Sequence, residues 1–331
     1  MSDAARRPGR DGVLLLLVAC WLVASARADE PRDWLMRMTA AVEKLNYEGS
    51  LVHMHGGEAD ILKIVHRVKD GRIEERITAV DGKGREIIRN DDEVTCILPD
   101  KMAVQIEPRD PKARAQSPLQ GSLPSVESLD YRLYQLALEG AATVAGRPTQ
   151  ILAVQPMDQF RYGYRLWLDE LTAMPLKIQM RDEGGGVLEQ IMFTEIRVPA
   201  EIPDAALAPS LDTEGFKMMR GSTVQAGEKM PTADWRAADL PDGFMLTTVM
   251  SKYAPGADMP TEQLVYSDGL ASVSVFIEAA EDDGASAGGA SSMGAANAFT
   301  TSRNGHLITA VGEVPVSTVE RIALSTAPGV R

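Results

Sequence analysis

The chain has 331 residues, 34 of them basic and 47 acidic, for a net charge of −13 at pH 7. An acidic surface repels phosphates, which argues against nucleic acid as a partner. With only Cys20 and Cys96, and no later run near the roughly 20 apolar residues of a spanning helix, disulfide scaffolds and membrane spans are excluded as well.

Residues 1–28 have the pattern of a secretory signal peptide. Arg6, Arg7 and Arg10 form the basic region, Val13–Val23 the apolar run and Ala26-Arg27-Ala28 a small-residue cleavage site. Cleavage after Ala28 removes 4 basic and 2 acidic residues, leaving −15 over 303 residues and one cysteine. Leu17-Val18-Ala19-Cys20 also fits a lipobox. The apolar run continues through Trp21-Leu22-Val23, so cleavage at Ala28 is expected over a lipid anchor at Cys20. An exported chain of this length points to about two domains.

Pro31, Trp34, Met38, Ala41, Val42 and Leu45 place an amphipathic helix at the start of the mature protein. From 47 to 107 the period falls to two. Short strand-like runs alternate with Gly56-Gly57, Asp70-Gly71, Asp81-Gly82, Asn90-Asp91 and Pro99-Asp100, as in an antiparallel meander. A proline-rich loop at 108–124 follows. Ser125 with Val126, Leu129, Leu133 and Leu136 predicts a second helix. Strands return at 149–154, 160–169, 175–182 and 187–197, which makes residues 29–198 one large curved antiparallel sheet with helices on one side.

Periodicity lapses over 199–230, an expected interdomain linker rich in proline and glycine. A smaller α+β domain is expected over 231–323. It has a strand at 244–250, a hairpin about Ser267-Asp268-Gly269, a second about Asn304-Gly305, and a final helix with a Ser317/Glu320 capping box. The Gly/Ala/Ser-rich stretch 279–297 reads as a loop.

No catalytic, cofactor or metal site is expected. The chain lacks Gly-x-Ser-x-Gly, His-Glu-x-x-His, Cys-x-x-Cys and a phosphate-cradling loop. His53 and His55, with Glu58 and the more distant His66, are the nearest approach to a metal cluster, but zinc wants three well-placed ligands and the pair reads as a solvated hairpin end. Cys96 lies in the apolar run Val94–Leu98 and reads as a small hydrophobe, not a reactive thiol. Tyr162, Tyr164, Leu166 and Leu168 alternate onto one strand face, and Ile178 and Met180 onto the next, marking either ordinary sheet core or the wall of an apolar cavity.

Several segments in order resemble the MucB/RseB family of periplasmic sigma-E regulators. They are Tyr47-Glu48-Gly49-Ser50, Ile64-Val65-His66-Arg67, Arg85-Glu86-Ile87-Ile88-Arg89 after Asp81-Gly82, Val144-Ala145-Gly146-Arg147, and the run Arg161–Asp169. Leu240-Pro241-Asp242-Gly243-Phe244, Tyr266–Leu270, Ser274-Val275-Phe276 and Val311–Pro315 follow. The resemblance implies a half-barrel sheet like that of the lipoprotein carriers LolA and LolB, with an apolar cavity lined by Tyr162, Tyr164, Leu166, Leu168, Ile178 and Met180. It implies a smaller domain that engages the periplasmic segment of a membrane-spanning anti-sigma factor and shields it from site-1 proteolysis until a lipid or lipopolysaccharide releases it. A periplasmic lipid or lipoprotein carrier is the alternative.

Overall fold

The structure, a computed structural model, describes residues 30–80, 84–109, 119, 123–124, 127, 129–221, 234–252, 261–280 and 288–329. The signal peptide, Cys20, most of the proline-rich loop and residues 281–287 lie outside the described residues; the rest of the stretch expected as a loop, 279–297, is largely strand, Gly289–Met293 pairing antiparallel with Ala296–Arg303. No helix among the described residues is long and apolar enough to cross a membrane.

Helix α1, over 30–44, opens the larger domain. Leu35, Met38, Ala41 and Val42 are its buried stripe, with Trp34 half-buried beside them. A meander follows: β1 (Tyr47–His55), β2 (Glu58–Lys69), β3 (Arg72–Ala79), β4 (Glu86–Arg89), β5 (Glu93–Leu98) and β6 (Ala103–Pro108). Asp70 and Gly71 both take positive φ, 53° and 76°, the two-residue turn that matches the twist of its strands. A second run comprises β7 (Tyr134–Val144), β8 (Arg147–Pro156), β9 (Gly163–Asp169), β10 (Pro175–Arg181) and β11 (Val187–Arg197). β11 pairs antiparallel with β1 and joins the two runs edge to edge.

The half-barrel expectation fails at this point. The sheet has 12 strands in one open order, β12-β6-β5-β4-β3-β2-β1-β11-β10-β9-β8-β7. Closure would bring β7 to the far edge, but the two edges are opposite ends of the ladder, and the sheet is neither closed nor strongly curled. It is also mixed, because β12 (Lys217–Arg220) leaves the 199–230 stretch to pair parallel with β6.

Among the described residues the second predicted helix is absent as well; Ser125 and Val126 themselves lie outside them. Tyr134–Val144 is a strand paired along its length with β8. The Leu129/Leu133/Leu136 spacing fits a helix, but Tyr134, Leu136 and Leu138 fit a strand equally well. Gly140, at φ 107° beside a bulge, is incompatible with a helix interior.

The smaller domain is a six-stranded antiparallel sheet, ordered β14-β15-β16-β19-β18-β17. Its strands are β14 (Met245–Lys252), β15 (Thr261–Ser267), β16 (Ser272–Ala279), β17 (Gly289–Met293), β18 (Ala296–Arg303) and β19 (His306–Gly312). Helix α2 (Val316–Ser325) packs on it through Val319, Ile322 and Ala323, and β13 (Trp235–Ala237) pairs with β20 (Thr326–Pro328). The capping box does not form: Pro315 is the N-cap and no side chain caps the helix. Thr318, buried in the first turn, instead donates its hydroxyl to the Phe160 carbonyl of the larger domain at 2.7 Å.

The two domains have separate cores. In the larger, Leu35, Met38 and Val42 of α1 join Leu152, Leu166, Ile178 and Ile191 from successive strands. In the smaller, Leu264, Val275, Ile308 and Ala310 meet α2.

Candidate functional site

The segment 158–164 and the turns of the smaller domain form a seam that takes its polar groups out of water and pairs them. Asp268 sits in the β15–β16 turn, where its Oδ1 accepts the backbone N–H groups of Leu270 at 2.9 Å and Ala271 at 2.7 Å. Its Oδ2 accepts Arg161 Nη1 at 2.6 Å and the Tyr134 hydroxyl at 2.8 Å. The Arg161 and Asp268 side chains are both 0% exposed. Arg161 also donates to the Asp242 carbonyl at 2.7 Å and to Asp158 at 3.0 Å, and its guanidinium lies 5.3 Å from the Phe244 ring centroid. Burial, with the Asp268 carboxylate next, pushes the Tyr134 phenol well above its ordinary range, so it stays a donor.

Around this triad the backbones approach closely. Gly243 has φ 82°, and a Cβ there would lie 2.2 Å from Leu133 Cδ1. Leu270 packs against the larger domain's core. Farther along the seam, Asn297 Nδ2 donates to the Tyr162 hydroxyl at 2.9 Å and to the Val314 carbonyl at 2.7 Å. Tyr162 and Met180 pack on Ala295 of the smaller domain, with Tyr164 alongside.

The six predicted cavity residues therefore divide. Leu166, Leu168 and Ile178 belong to the main core. Tyr162 and Met180 lie at the seam, and Tyr164 touches both clusters. One void under the apolar face, lined by Leu51, Leu62, Ile64, Ile77, Leu119 and Ile191 with His53 at its edge, is about 20 Å³, room for about one water. A surface groove of about 650 Å³ runs instead along Gln155–Phe160, Tyr164 and Arg181–Glu183.

A third space lies between the domains. A cleft of about 380 Å³ has His53, His55, Gly56, Glu58 and Glu189 on one wall and Met293–Ala296 with Glu313 on the other. His53 Nε2 and Glu189 Oε1 are 2.6 Å apart, and His55 Nε2 and Asp60 Oδ2 are 3.0 Å apart. The hydrogen bond from His55 holds the Asp60 carboxyl below its ordinary range. His66 takes no part. It stacks on Tyr47 at 4.5 Å and meets Glu75, which is also bound by Arg89. In register it lies six residues along β2 from Asp60, on the order of 20 Å away. Asp60 and Glu189 are the residues that sequence spacing missed; Asp60 is the cross-strand partner of His53, a signal available once the hairpin register is known.

Burial raises Glu313 from its ordinary 4.5, and the nearby Glu189 carboxylate adds to this, against a smaller opposing pull from His53. The folded state then holds a proton that the unfolded state releases, so stability falls as pH rises from about 4.5 through the raised value. Glu313→Gln is expected to melt at a higher temperature than the parent near pH 7, with the difference vanishing below about pH 4.5. Thermal midpoints across that range would check it; a constant difference would show that the carboxyl titrates as in the unfolded chain.

Cys96 is a half-buried member of β5, its thiol pushed up by burial and then by Glu107, as an unreactive cysteine should be.

Comparison with known proteins places these features in a lineage. The profile of the MucB/RseB N-terminal domain matches residues 30–211, and that of the MucB/RseB C-terminal domain matches residues 229–327. The sigma factor AlgU regulatory protein MucB of Pseudomonas aeruginosa is 36% identical over 326 residues, covering 96% of each chain. The sigma-E factor regulatory protein RseB of Escherichia coli K12 is 28% identical over 301 residues, covering 87% of this chain and 88% of RseB. The complex of Pseudomonas aeruginosa MucA and MucB superposes with a TM-score of 0.71 at 31% identity, covering 91% of this chain and 100% of the solved one. A crystal structure of MucB superposes with a TM-score of 0.58 at 30% identity over 91% of this chain and 98% of that one.

Proposed function

The chain belongs to the MucB/RseB family, and from that premise we propose that it is a periplasmic negative regulator of a sigma-E-type envelope-stress pathway. It is a regulator, not an enzyme. It binds the periplasmic segment of a membrane-spanning anti-sigma factor and shields that segment from the first proteolytic cut. The observation that carries this reading is the likeness over nearly the whole chain, both domains included, to MucB as solved in complex with MucA.

In this reading residues 1–28 are a signal peptide cleaved after Ala28, 29–198 the ligand-sensing domain, 199–230 the connection and 231–323 the partner-binding domain. The releasing ligand is a lipid such as lipopolysaccharide. The mature charge of −15 repels anionic headgroups, so acyl burial supplies the affinity, at about 0.8 kcal/mol per CH₂. Leu166, Leu168 and Ile178 are buried in the main core, so in this reading a lipid enters by separating the seam. Tyr162, Tyr164 and Met180, now against Ala295, become its first wall, with Leu166, Leu168 and Ile178 behind them. Lipid and partner are then coupled reciprocally, each weakening the other.

A cleavage assay tests the proposal. With the anti-sigma periplasmic segment and its protease, adding this protein is expected to slow cleavage, and adding lipopolysaccharide to restore it. Cleavage unaffected by the protein overturns the shielding role. Protection that no lipid relieves overturns the release mechanism alone.

A further inference from the structure

The β1–β2 hairpin carries a cluster that the regulatory reading leaves unused. His53 and His55 stand two apart on β1, so their side chains share one face, and their rings lie 4.6 Å apart. Asp60 on β2 is the register partner of His53, and Glu189 on β11 is that of His55. One ligand atom each from His53, His55 and Asp60 all fall within 4.8 Å of one another. Glu189 Oε1 lies 2.6 Å from His53 Nε2. All four side chains are partly exposed, and His53, His55 and Glu189 line the interdomain cleft, so a small ion reaches them from solvent.

We propose that this cleft binds a divalent first-row transition-metal ion, with zinc as the representative, through His53, His55, Asp60 and Glu189. Two imidazoles and two carboxylates make a four-ligand nitrogen–oxygen set whose negative charge balances the dication. Each imidazole Nε2 already faces a carboxylate oxygen, and the metal takes the place of the bridging proton. Two zinc bonds of about 2.0–2.2 Å allow ligand atoms to lie at most about 4.4 Å apart. Closing the His53, His55 and Asp60 group from its present 4.8 Å limit, and drawing in Glu189 from its place against His53, needs only side-chain rotation, because the flanking strands are already hydrogen-bonded in register. The imidazole pair selects zinc or copper over magnesium and calcium, which prefer all-oxygen sites. Glu313 and Met293 face the cluster from the smaller domain, so a bound ion sits against both domains at the seam.

The test is titration of the untagged, chelator-treated mature chain with Zn²⁺ by calorimetry, in the presence of excess Mg²⁺. One saturable site per chain is expected. The His53→Ala, His55→Ala double variant should weaken it by more than about 100-fold, since loss of outer-shell partners alone costs 10–100-fold. The near-isosteric Asp60→Asn, which leaves the hairpin packing intact, should weaken it by at least about tenfold. Absence of uptake by the parent overturns the proposal, as does equal uptake by the double variant or by Asp60→Asn.

Discussion

Replacing Asp268 by alanine is expected to lower stability by about 3–5 kcal/mol, the usual cost of removing one partner from a buried ion pair. The loss comes less from the missing attraction than from what remains. Arg161 would keep its charge with no exposed surface and with only the Asp242 carbonyl and the Asp158 carboxylate as acceptors. The Tyr134 hydroxyl and the Leu270 and Ala271 N–H groups would lose their acceptor too. Arg161→Met should cost less, because Asp268 would retain three donors and the methionine would fill space beside Phe244 and Tyr134. Urea denaturation followed at two wavelengths would resolve both effects. Loss of the seam should also split a single transition into two, one per core, since multidomain proteins unfold as one unit only while their interface couples them. An Asp268→Ala chain within about 1 kcal/mol of the parent would mean that water reaches Arg161 and that the seam is open in solution.

The second large effect is expected at Leu166. This side chain is 0% exposed and stands in a row across the sheet, opposite Leu152 on one side and Ile178 on the other, with Ile191 beyond. Leu35, Met38 and Val42 of α1 belong to the same core. Leu166→Ala should lose about 2–5 kcal/mol, because a backbone held in register on both sides relaxes little into the cavity. Leu166→Asp should prevent the larger domain from folding, since an aspartate there has no partner for its charge. The control is Leu171→Ala: Leu171 is 83% exposed, and its change should stay within about 0.5 kcal/mol. Thermal or urea midpoints decide the matter; a Leu166→Ala chain as stable as the control would show that the apolar face is loosely filled and already open to a ligand.

Much of the architecture was legible in the chain itself. Turn residues at Asp70-Gly71 and Asn304-Gly305 announce their hairpins because only certain residues tolerate positive φ, and both positions adopt it. The stripe from Trp34 to Val42 announces α1 for the same local reason: spacing alone determines which side chains share a face. The error at 125–136 shows the limit of that logic. A few leucines at mixed spacing fit two periods, and pairing with β8, not propensity, chose the strand. The capping box failed similarly, since the contact of Thr318 with Phe160 lies 158 residues away in sequence.

What the sequence by itself determined is the exported, acidic character of the chain, its strand-and-turn rhythm, its family and the absence of catalytic motifs. Each depends on residues read locally or in order. Only the tertiary structure decided that the large sheet stays open, because closure is a property of which edges meet. It alone placed Arg161 on Asp268, 107 residues apart, and divided the six cavity candidates between the main core and a domain seam. It also set Asp60 beside His53 and His55 and Glu189 against His53, because these two carboxylates arrive from neighbouring strands. Cross-strand register is set by the summed fit of whole faces, and no short stretch of sequence carries that sum.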